Sequence, residues 1–361
     1  MLITGLCITI RTEKMQSKME DKEKGPEWIT GWIAARMGFV PVISTRLSFQ
    51  DTLGGIRVRW GIGRMSYRIL PGLYAAGKPG TDSPVLVTAN YKLSFDNLRK
   101  HLVDIHAWVL VLDTKGVNVW CAAGKGTFGT EEIIGQVAVV NLSSVVSHRT
   151  IILPQLGAPG VAAHVVTRRT GFKVVYGPVR AADIPRFLNN GMKTDREMRT
   201  VSFTFRERLA VMPVELVQSW KIALAALLFC ALCSFAGGNT ISWSVLFGFF
   251  PYACAILIGC IFVPAALPWI PGRSLALKGW LAGIVSTIVY IIISGHQWTG
   301  NLVYLLILPA ISSFLALNFT GATPYTSLSG VKKEMRVAMP LIIFSAFSGV
   351  VFQIVELWRT V

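Results

Sequence analysis

The segment Asn118-Val119-Trp120-Cys121-Ala122-Ala123-Gly124-Lys125-Gly126 sets one cysteine among small residues, between an apolar run and a helical stretch. Ala122, Ala123, Gly124 and Gly126 leave room for a large flat ligand to approach the backbone beside the thiol. A thiol near a helix N-terminus, with Lys125 four residues on, favours the thiolate, the form that ligates soft metals and attacks electrophiles. Several familiar sites are excluded here. A Walker A loop needs glycine at position 119 and Ser or Thr at 126, and the chain has Val119 and Gly126; the dinucleotide G-x-G-x-x-G pattern does not open the first strand-helix turn. Zinc requires more ligands than one cysteine. A Cys-His nucleophile with His148 or His164 stays chemically open, although no spacing specifies the pair. The bland alternative is a small buried hydrophobe in a turn, the usual fate of a lone cysteine.

The elements that position this segment are short β-branched runs alternating with helical stretches. Strands are expected over Val85 to Asn90, Trp108 to Asp113, Thr150 to Gln155, Lys173 to Pro178 and Thr200 to Phe205. Helices fit at about 94–105, 130–146, 160–170 and 181–190, with Thr130 as a cap and Glu131 and Glu132 in the first turn. This alternation predicts an α/β doubly wound, Rossmann-like parallel sheet. Ligands then gather beyond the strands' carboxyl ends: Asn90 and Tyr91, Thr114 to Thr127, Gln155 to Gly160, and Gly177 to Val179. The chain divides into an N-terminal region (1–79), the α/β domain (80–207), a juxtamembrane linker (208–219) and a transmembrane domain (220–361). In the first of these, Arg57, Arg59, Arg64 and Arg68 alternate with apolar residues before Pro71-Gly72. That region either forms a layer on the sheet or lies on a membrane.

Composition argues against a wholly soluble protein: 52% of the 361 residues are hydrophobic, 15% are charged and the mean hydropathy is +0.53. No Asp, Glu, Lys or Arg occurs between Ile222 and Gly272, nor between Gly279 and Val331. Five segments of suitable length follow, at about 220–236, 243–263, 275–294, 302–317 and 337–357, forming an all-α domain of five helices. Trp220, Trp243, Trp269, Trp280, Trp298 and Trp358 lie at or near their ends, where amphipathic rings meet headgroups. The first ten residues lack a basic n-region and a cleavage site, so no signal peptide is expected, and Met15 or Met19 serves equally as a start.

Four of the six cysteines (Cys230, Cys233, Cys254, Cys260) sit in the apolar segments and Cys7 near the start, which argues against a disulfide framework. Cys230 and Cys233 share a helix face and read as packing residues before they read as a soft-metal pair. The lone histidine of this half, His296, falls in a connection, so no intramembrane ionisable residue marks an ion path. The soluble half carries a net charge of +11, which suits anionic headgroups or an acidic partner; no nucleic-acid module is visible.

Asn118 to Lys125, N-V-W-C-A-A-G-K, resembles the cap-helix signature of the mercury-methylating corrinoid proteins, the HgcA family. Val87 to Asp96, Leu153 to Ala162, Tyr176 to Pro185 and Asn318 to Glu334 also resemble that family and its relatives, the corrinoid iron-sulfur proteins of the acetyl-CoA pathway. The resemblance implies cobalamin held base-off, with the Cys121 thiolate as lower axial ligand of cobalt. Its binding residues would be Asn118, Val119, Trp120, Cys121, Ala122, Ala123, Gly124 and Lys125, with Thr88, Asn90, Gly157, Gly160, Gly177 and Pro178. A D-x-H-x-x-G motif, which would offer a histidine ligand, is missing: Val109 stands where its glycine would be.

The implied activity is a cobalamin-dependent methyltransferase that passes a methyl group from cobalt to Hg(II), giving methylmercury. A thiolate trans to the methyl group would favour its leaving as a carbanion equivalent. With one thiol in the soluble core, the chain lacks a four-cysteine cluster set. Electrons would therefore come from an HgcB-like ferredoxin with two 4Fe-4S clusters, and methyl groups from a donor such as methyl-tetrahydrofolate through a methyltransferase. A membrane corrinoid methyl carrier with another acceptor, or a non-catalytic soft-metal carrier, are the alternatives.

Loop charge predicts the orientation. Arg273, Lys278, Lys332, Lys333 and Arg336 all fall in or beside the second and fourth connections, and the first and third have no Lys or Arg. The positive-inside rule then puts the globular domain inside the cytoplasmic (inner) membrane and Val361 outside. A reporter fused after Val361 is expected to be active only outside the cell; activity in the cytoplasm would refute the count of five spans or the orientation.

Overall fold

The computed structural model describes residues 25–36, 38–238, 243–295, 298–319 and 328–360. Cys7, Met15, Met19, His296 and residues 320–327 of the connection quoted above lie outside them. The chain divides into two compact units: residues up to Val58 with Gly63–Thr200, and Arg59–Ile62 with the residues from Val201 onward.

In the first unit seven strands form one sheet: β1 (Ile29–Ala35), β2 (Gly38–Ile43), β3 (Gly72–Ala76), β4 (Val85–Ala89), β5 (Ala107–Leu112), β6 (Thr150–Leu153) and β7 (Lys173–Tyr176), in the order β1-β2-β3-β5-β4-β6-β7. Every residue of β4 and β5 is buried, as continuous apolar runs must be when both sheet faces are covered. Besides the single turns Leu142–Val145 and Arg196–Arg199, the α-helices of this unit are α1 (Phe49–Arg59), α2 (Lys92–Arg99), α3 (Val119–Lys125), α4 (Thr130–Val139), α5 (Ala163–Thr170) and α6 (Ile184–Asn189). Side chains alternate along the strands. Val85, Val87, Ala89, Leu110 and Leu112 pack with Ala122, Ile133, Val137 and Val166 of α3, α4 and α5. Leu86, Val109, Val111 and Ile152 pack on the other face with Phe95, Leu98 and Phe187 of α2 and α6.

Strands β5, β4, β6 and β7 run parallel, as expected. The sheet as a whole is mixed, however: β3 is antiparallel to β5 and β1 to β2, while β2 is parallel to β3. Part of the region set apart as 1–79 therefore belongs to the sheet, extending it beyond β5. Its glycines and prolines (Gly31, Gly38, Pro41, Pro71, Gly72) read as turns in the sequence and hide these strands. The expected strand from Thr200 to Phe205 is absent. Instead Thr204 and Glu207 form a reciprocal capping box, a signature legible as T-F-R-E, that starts a helix through most of the expected linker.

A buried charge cluster ties α1 to α2. Arg99 is wholly buried; its Nη2 donates to Asp51 at 2.6 Å, its Nε to Asp96 at 2.8 Å, and its Nη1 to the carbonyls of Ser44 and Arg46. Lys92 Nζ bridges the same two carboxylates, at 2.5 Å from Asp51 and 2.7 Å from Asp96. Burial pushes the Asp51 carboxyl up, but hydrogen bonds from Lys92, the Ser48 amide and Arg99 outweigh it and hold the group well below the usual carboxylate range.

The second unit is helical: α7 (Phe205–Gln218), α8 (Trp220–Ala236), α9 (Trp243–Leu257, continued through a π-turn to Ala265), α10 (Leu275–Ser294), α11 (Trp298–Asn318) and α12 (Leu328–Thr360). Four stretches are long and apolar enough to cross a membrane: Val245–Ala265, Leu275–Ser294, Asn301–Asn318 and Gly330–Arg359. The fifth expected span, α8, has 17 residues, about 25 Å of helix against a ~30 Å hydrocarbon layer. It meets α7 at a 46° bend, and the pair reaches spanning length only together. Helices α10 and α11 approach through small residues: Ser312 Oγ donates to the Gly279 carbonyl at 2.9 Å and Ser313 Oγ to that of Ala276 at 2.8 Å. Lys278, read above as a loop cation, lies inside α10 and donates to the carbonyls of Leu267 and Ile270.

Arg99→Ala leaves two buried carboxylates with one cation, so the α/β unit should lose on the order of 3–5 kcal/mol, read as a lower unfolding midpoint. Because the folded-state carboxyl of Asp51 titrates below its unfolded value, its contribution is full above about pH 4 and fades as pH falls further. The midpoint of Asp51→Asn should therefore depend less on pH than wild type in that acidic window; parallel curves would contradict the ion cluster.

Candidate functional site

The parallel core changes direction at β4. From β4 the chain crosses to β5 on one side and from β5 to β6 on the other, which leaves a switch point where an α/β sheet opens a crevice. The register records the opening: Leu86 pairs with Ile152 and no later pair joins β4 to β6. A groove of about 790 Å³, counting space open to solvent, occupies this end; Val87, Thr88, Asn118, Trp120, Leu153 and Pro178 are among its walls.

Beside it, helix α3 carries Cys121. The Asn118 side chain caps the helix by accepting the Cys121 amide at 2.9 Å, which fixes the backbone of the first turn. Val119, Ala122 and Ala123 are buried against the sheet, while Gly124 and Lys125 are exposed. The Cys121 side chain is half-buried and unpaired by any disulfide. Gly126 ends the helix at φ +80°, a conformation that favours glycine.

The loop that launches α3 hangs on one buried amide. Asn90, at the carboxyl end of β4, is 2% exposed. Its Oδ1 accepts from the Thr114 amide at 3.1 Å and the Gly116 amide at 3.0 Å and lies 2.9 Å from the Thr114 hydroxyl oxygen, and its Nδ2 donates to Asp113 at 3.0 Å. The Thr114 hydroxyl in turn donates to the Val117 carbonyl at 2.6 Å, and Glu132 at the start of α4 accepts the Asp113 amide at 2.8 Å.

The 3-10 turn Gln155–Gly160 packs against α3 from the other side. A Cβ on Gly160 would strike the Phe128 carbonyl and come within 3.0 Å of Ala123 Cα; one on Gly157 would lie 2.5 Å from the Phe128 ring. Thr130, expected as a helix cap, instead uses its hydroxyl to accept the Ala162 amide at 2.8 Å, and Tyr176 donates to the Val161 carbonyl at 3.0 Å. Gly129 caps α4 in its place.

The sequence-derived residues thus separate by position. Thr88, Asn118, Val119, Trp120, Gly177 and Pro178 line the groove. Cys121, Ala122, Ala123, Gly124 and Lys125 continue along α3 beyond those walls, and Asn90, Gly157 and Gly160 brace α3 without lining the groove. Sequence reasoning missed Asn97 and Leu98 of α2, which complete one wall; the only signal for them was their position one turn after the carboxyl end of β4.

The residues present suit the cobalamin that the resemblance implies. The groove is mainly apolar, as a flat macrocycle requires, and opens on one side. Within it the nearly buried Thr88 has a hydroxyl with no hydrogen bond to any described residue. Cys121 supplies one soft donor. Among the described residues no group of three or more His, Cys, Asp or Glu could hold a bare metal ion.

Comparison with known proteins points to the same stretch. Residues 64–188 match the family model described as CO dehydrogenase/acetyl-CoA synthase delta subunit. The chain is similar to the acetyl-CoA decarbonylase/synthase complex subunit gamma of Methanopyrus kandleri, 32% identical over 127 residues, which cover 35% of this chain and 27% of the relative. The corresponding subunits of Archaeoglobus fulgidus and Methanocaldococcus jannaschii are each 31% identical, over 127 and 129 residues, covering 35% of this chain and 27% and 26% of theirs. The chain thus spans about a quarter of the length of these curated relatives.

Asn90→Ala would leave the buried Gly116 amide without its acceptor, remove one of the two acceptors of the Thr114 amide and take a donor from Asp113. The expected cost is about 2 kcal/mol or more, a fall in melting temperature of roughly 4–8 °C. Hydrogen exchange should rise selectively in residues 113–126, and unchanged exchange there would refute the role of Asn90.

Proposed function

We propose that this chain is a membrane-anchored, cobalamin-dependent methyltransferase that transfers a methyl group to Hg(II) and releases methylmercury. The observation that carries the reading is the capped α3 turn: a half-buried thiol is held on a braced helix beside an apolar groove at the sheet's switch point. Bound base-off, cobalamin would supply a methyl group on cobalt in a form that leaves as a carbanion equivalent. Cys121 would hold its cobalt through the thiolate; Asn118 caps the turn that carries it, and the Asn90 bonds and the glycine turn brace that helix. The Thr88 hydroxyl would be free to donate to a polar edge of the ligand, and Val87, Leu153 and Pro178 would exclude water from its flat face.

Electrons would come from an HgcB-like ferredoxin with two 4Fe-4S clusters, and methyl groups from a donor such as methyl-tetrahydrofolate through a methyltransferase. The +11 charge of the first 219 residues suits docking of an acidic carrier. The four apolar stretches of the helical unit suit a membrane, and the basic residues Arg273, Lys332, Lys333 and Arg336 are the reason for placing the α/β unit on the cytoplasmic side of the inner membrane. A second reading, favoured by the similarity to the decarbonylase/synthase gamma subunits, is a membrane corrinoid methyl carrier with a different acceptor.

Cys121→Ala and Cys121→Ser should fold normally, because the side chain is only half-buried. They should alter the corrinoid absorption spectrum and reduce methylation of isotopic mercury beyond the roughly tenfold to hundredfold that loss of a group supporting a ligand costs. Full methylation by the alanine variant would sink the ligand assignment. An altered spectrum with no mercury product from wild type, but methyl transfer to another acceptor, would favour the carrier reading.

A further inference from the structure

Helix α1 is amphipathic in the wrong sense for a helix on a soluble domain. Its inward positions 51, 55 and 58 are one turn apart and buried; they present Asp51 to Arg99 and Lys92. Beside them Gly54 lies so close to Tyr67 that a Cβ would come within 2.6 Å of its hydroxyl oxygen. Its outward positions 49, 53 and 56 follow the same spacing and hold Phe49, Leu53 and Ile56, which are 80%, 42% and 49% exposed. The helix thus turns its carboxylate inward and its large apolar side chains outward. Met65 and Leu70, in the segment that follows, are also largely exposed.

The surrounding charge identifies what covers this face. Between Arg46 and Leu70 the sequence has five arginines and one acidic residue, Asp51. That acid is engaged inside, and Arg57, Arg64 and Arg68 have no carboxylate partner among the described residues. Apolar side chains interleaved with unpaired arginines fit a surface that is oily below and anionic above, and the same chain carries helices suited to a bilayer.

We propose that the outward face of α1 docks on an anionic lipid leaflet, with Phe49, Leu53 and Ile56 at the acyl boundary and Arg57 among the headgroup phosphates. This contact does not depend on the corrinoid reading. It would give the α/β unit a second attachment to the membrane.

The test uses the full chain in vesicles of phosphatidylcholine, with and without phosphatidylglycerol, doped with a phospholipid bearing a diazirine on its acyl chain. Trypsin cuts after Arg46 and Arg57, so the peptide 47–57 reports α1 alone, and the peptide 126–149 serves as a control from the same unit. Lipid adducts are expected on 47–57 several-fold above the control, more in the anionic vesicles. They should fall several-fold in the triple variant Phe49→Ser, Leu53→Ser, Ile56→Ser, whose far-UV circular dichroism and melting should match wild type because all three side chains are exposed. Adducts on the spanning helices with none on 47–57 would overturn the proposal. So would equal labelling of the triple variant, or labelling indifferent to phosphatidylglycerol.

Discussion

The buried amide of Asn90 is the joint on which the candidate site turns. It sits where β4 ends and accepts the amides of Thr114 and Gly116, so the loop leaving β5 is fixed to a neighbouring strand as well as to its own. In a buried position this is an all-or-none arrangement. The Gly116 amide would be costly to leave unpaired, and few side chains other than Asn can accept two amides and still donate to Asp113. The direction of α3, and with it the position of Cys121, follows from that constraint.

A second constraint acts from the opposite side. The 155–160 turn lies against the backbone of Ala123 and Phe128 at distances that admit no Cβ, so it functions as a wedge. Thr130 and Tyr176 hold the end of that turn from α4 and β7. Cys121 is therefore flanked by two supports, one on each side of α3. A thiol meant only to fill space would not need them, because a cysteine adapts to small gaps at little cost. Such bracing is what a donor atom needs if it is to hold a fixed direction.

The sequence disclosed the parallel core because β4 and β5 are continuous apolar runs and their connections have helical period. It disclosed the α3 segment because small residues around one cysteine are unusual. It hid the three N-terminal strands, whose glycines and prolines carry turn signals that tertiary pairing overrode. It suggested a strand at Thr200 to Phe205 from β-branched residues, although the capping box at Thr204 and Glu207 was present in the same letters. The roles of Gly157 and Gly160 were legible only as a motif; whether a glycine makes room for a ligand or for a neighbouring backbone depends on a contact distance that no spacing encodes. Asn90 was noticed as a strand-end residue, but its partners lie more than twenty residues away in the chain.

Charge placement in both units follows one physical rule with opposite outcomes. In the α/β unit the cluster of Asp51, Asp96, Lys92 and Arg99 is buried because each ion finds partners there, and that frees the outer face of α1 to be apolar. In the helical unit Lys278 is nearly buried with two carbonyls as its partners. The last helix, α12, leaves Leu341, Phe344 and Phe347 exposed along a stretch without charge. Water would penalise these exposed apolar faces, whereas lipid would not. In both places the charged groups face inward and apolar side chains face outward, on a short helix of the sheet and on helices long and apolar enough to cross a membrane.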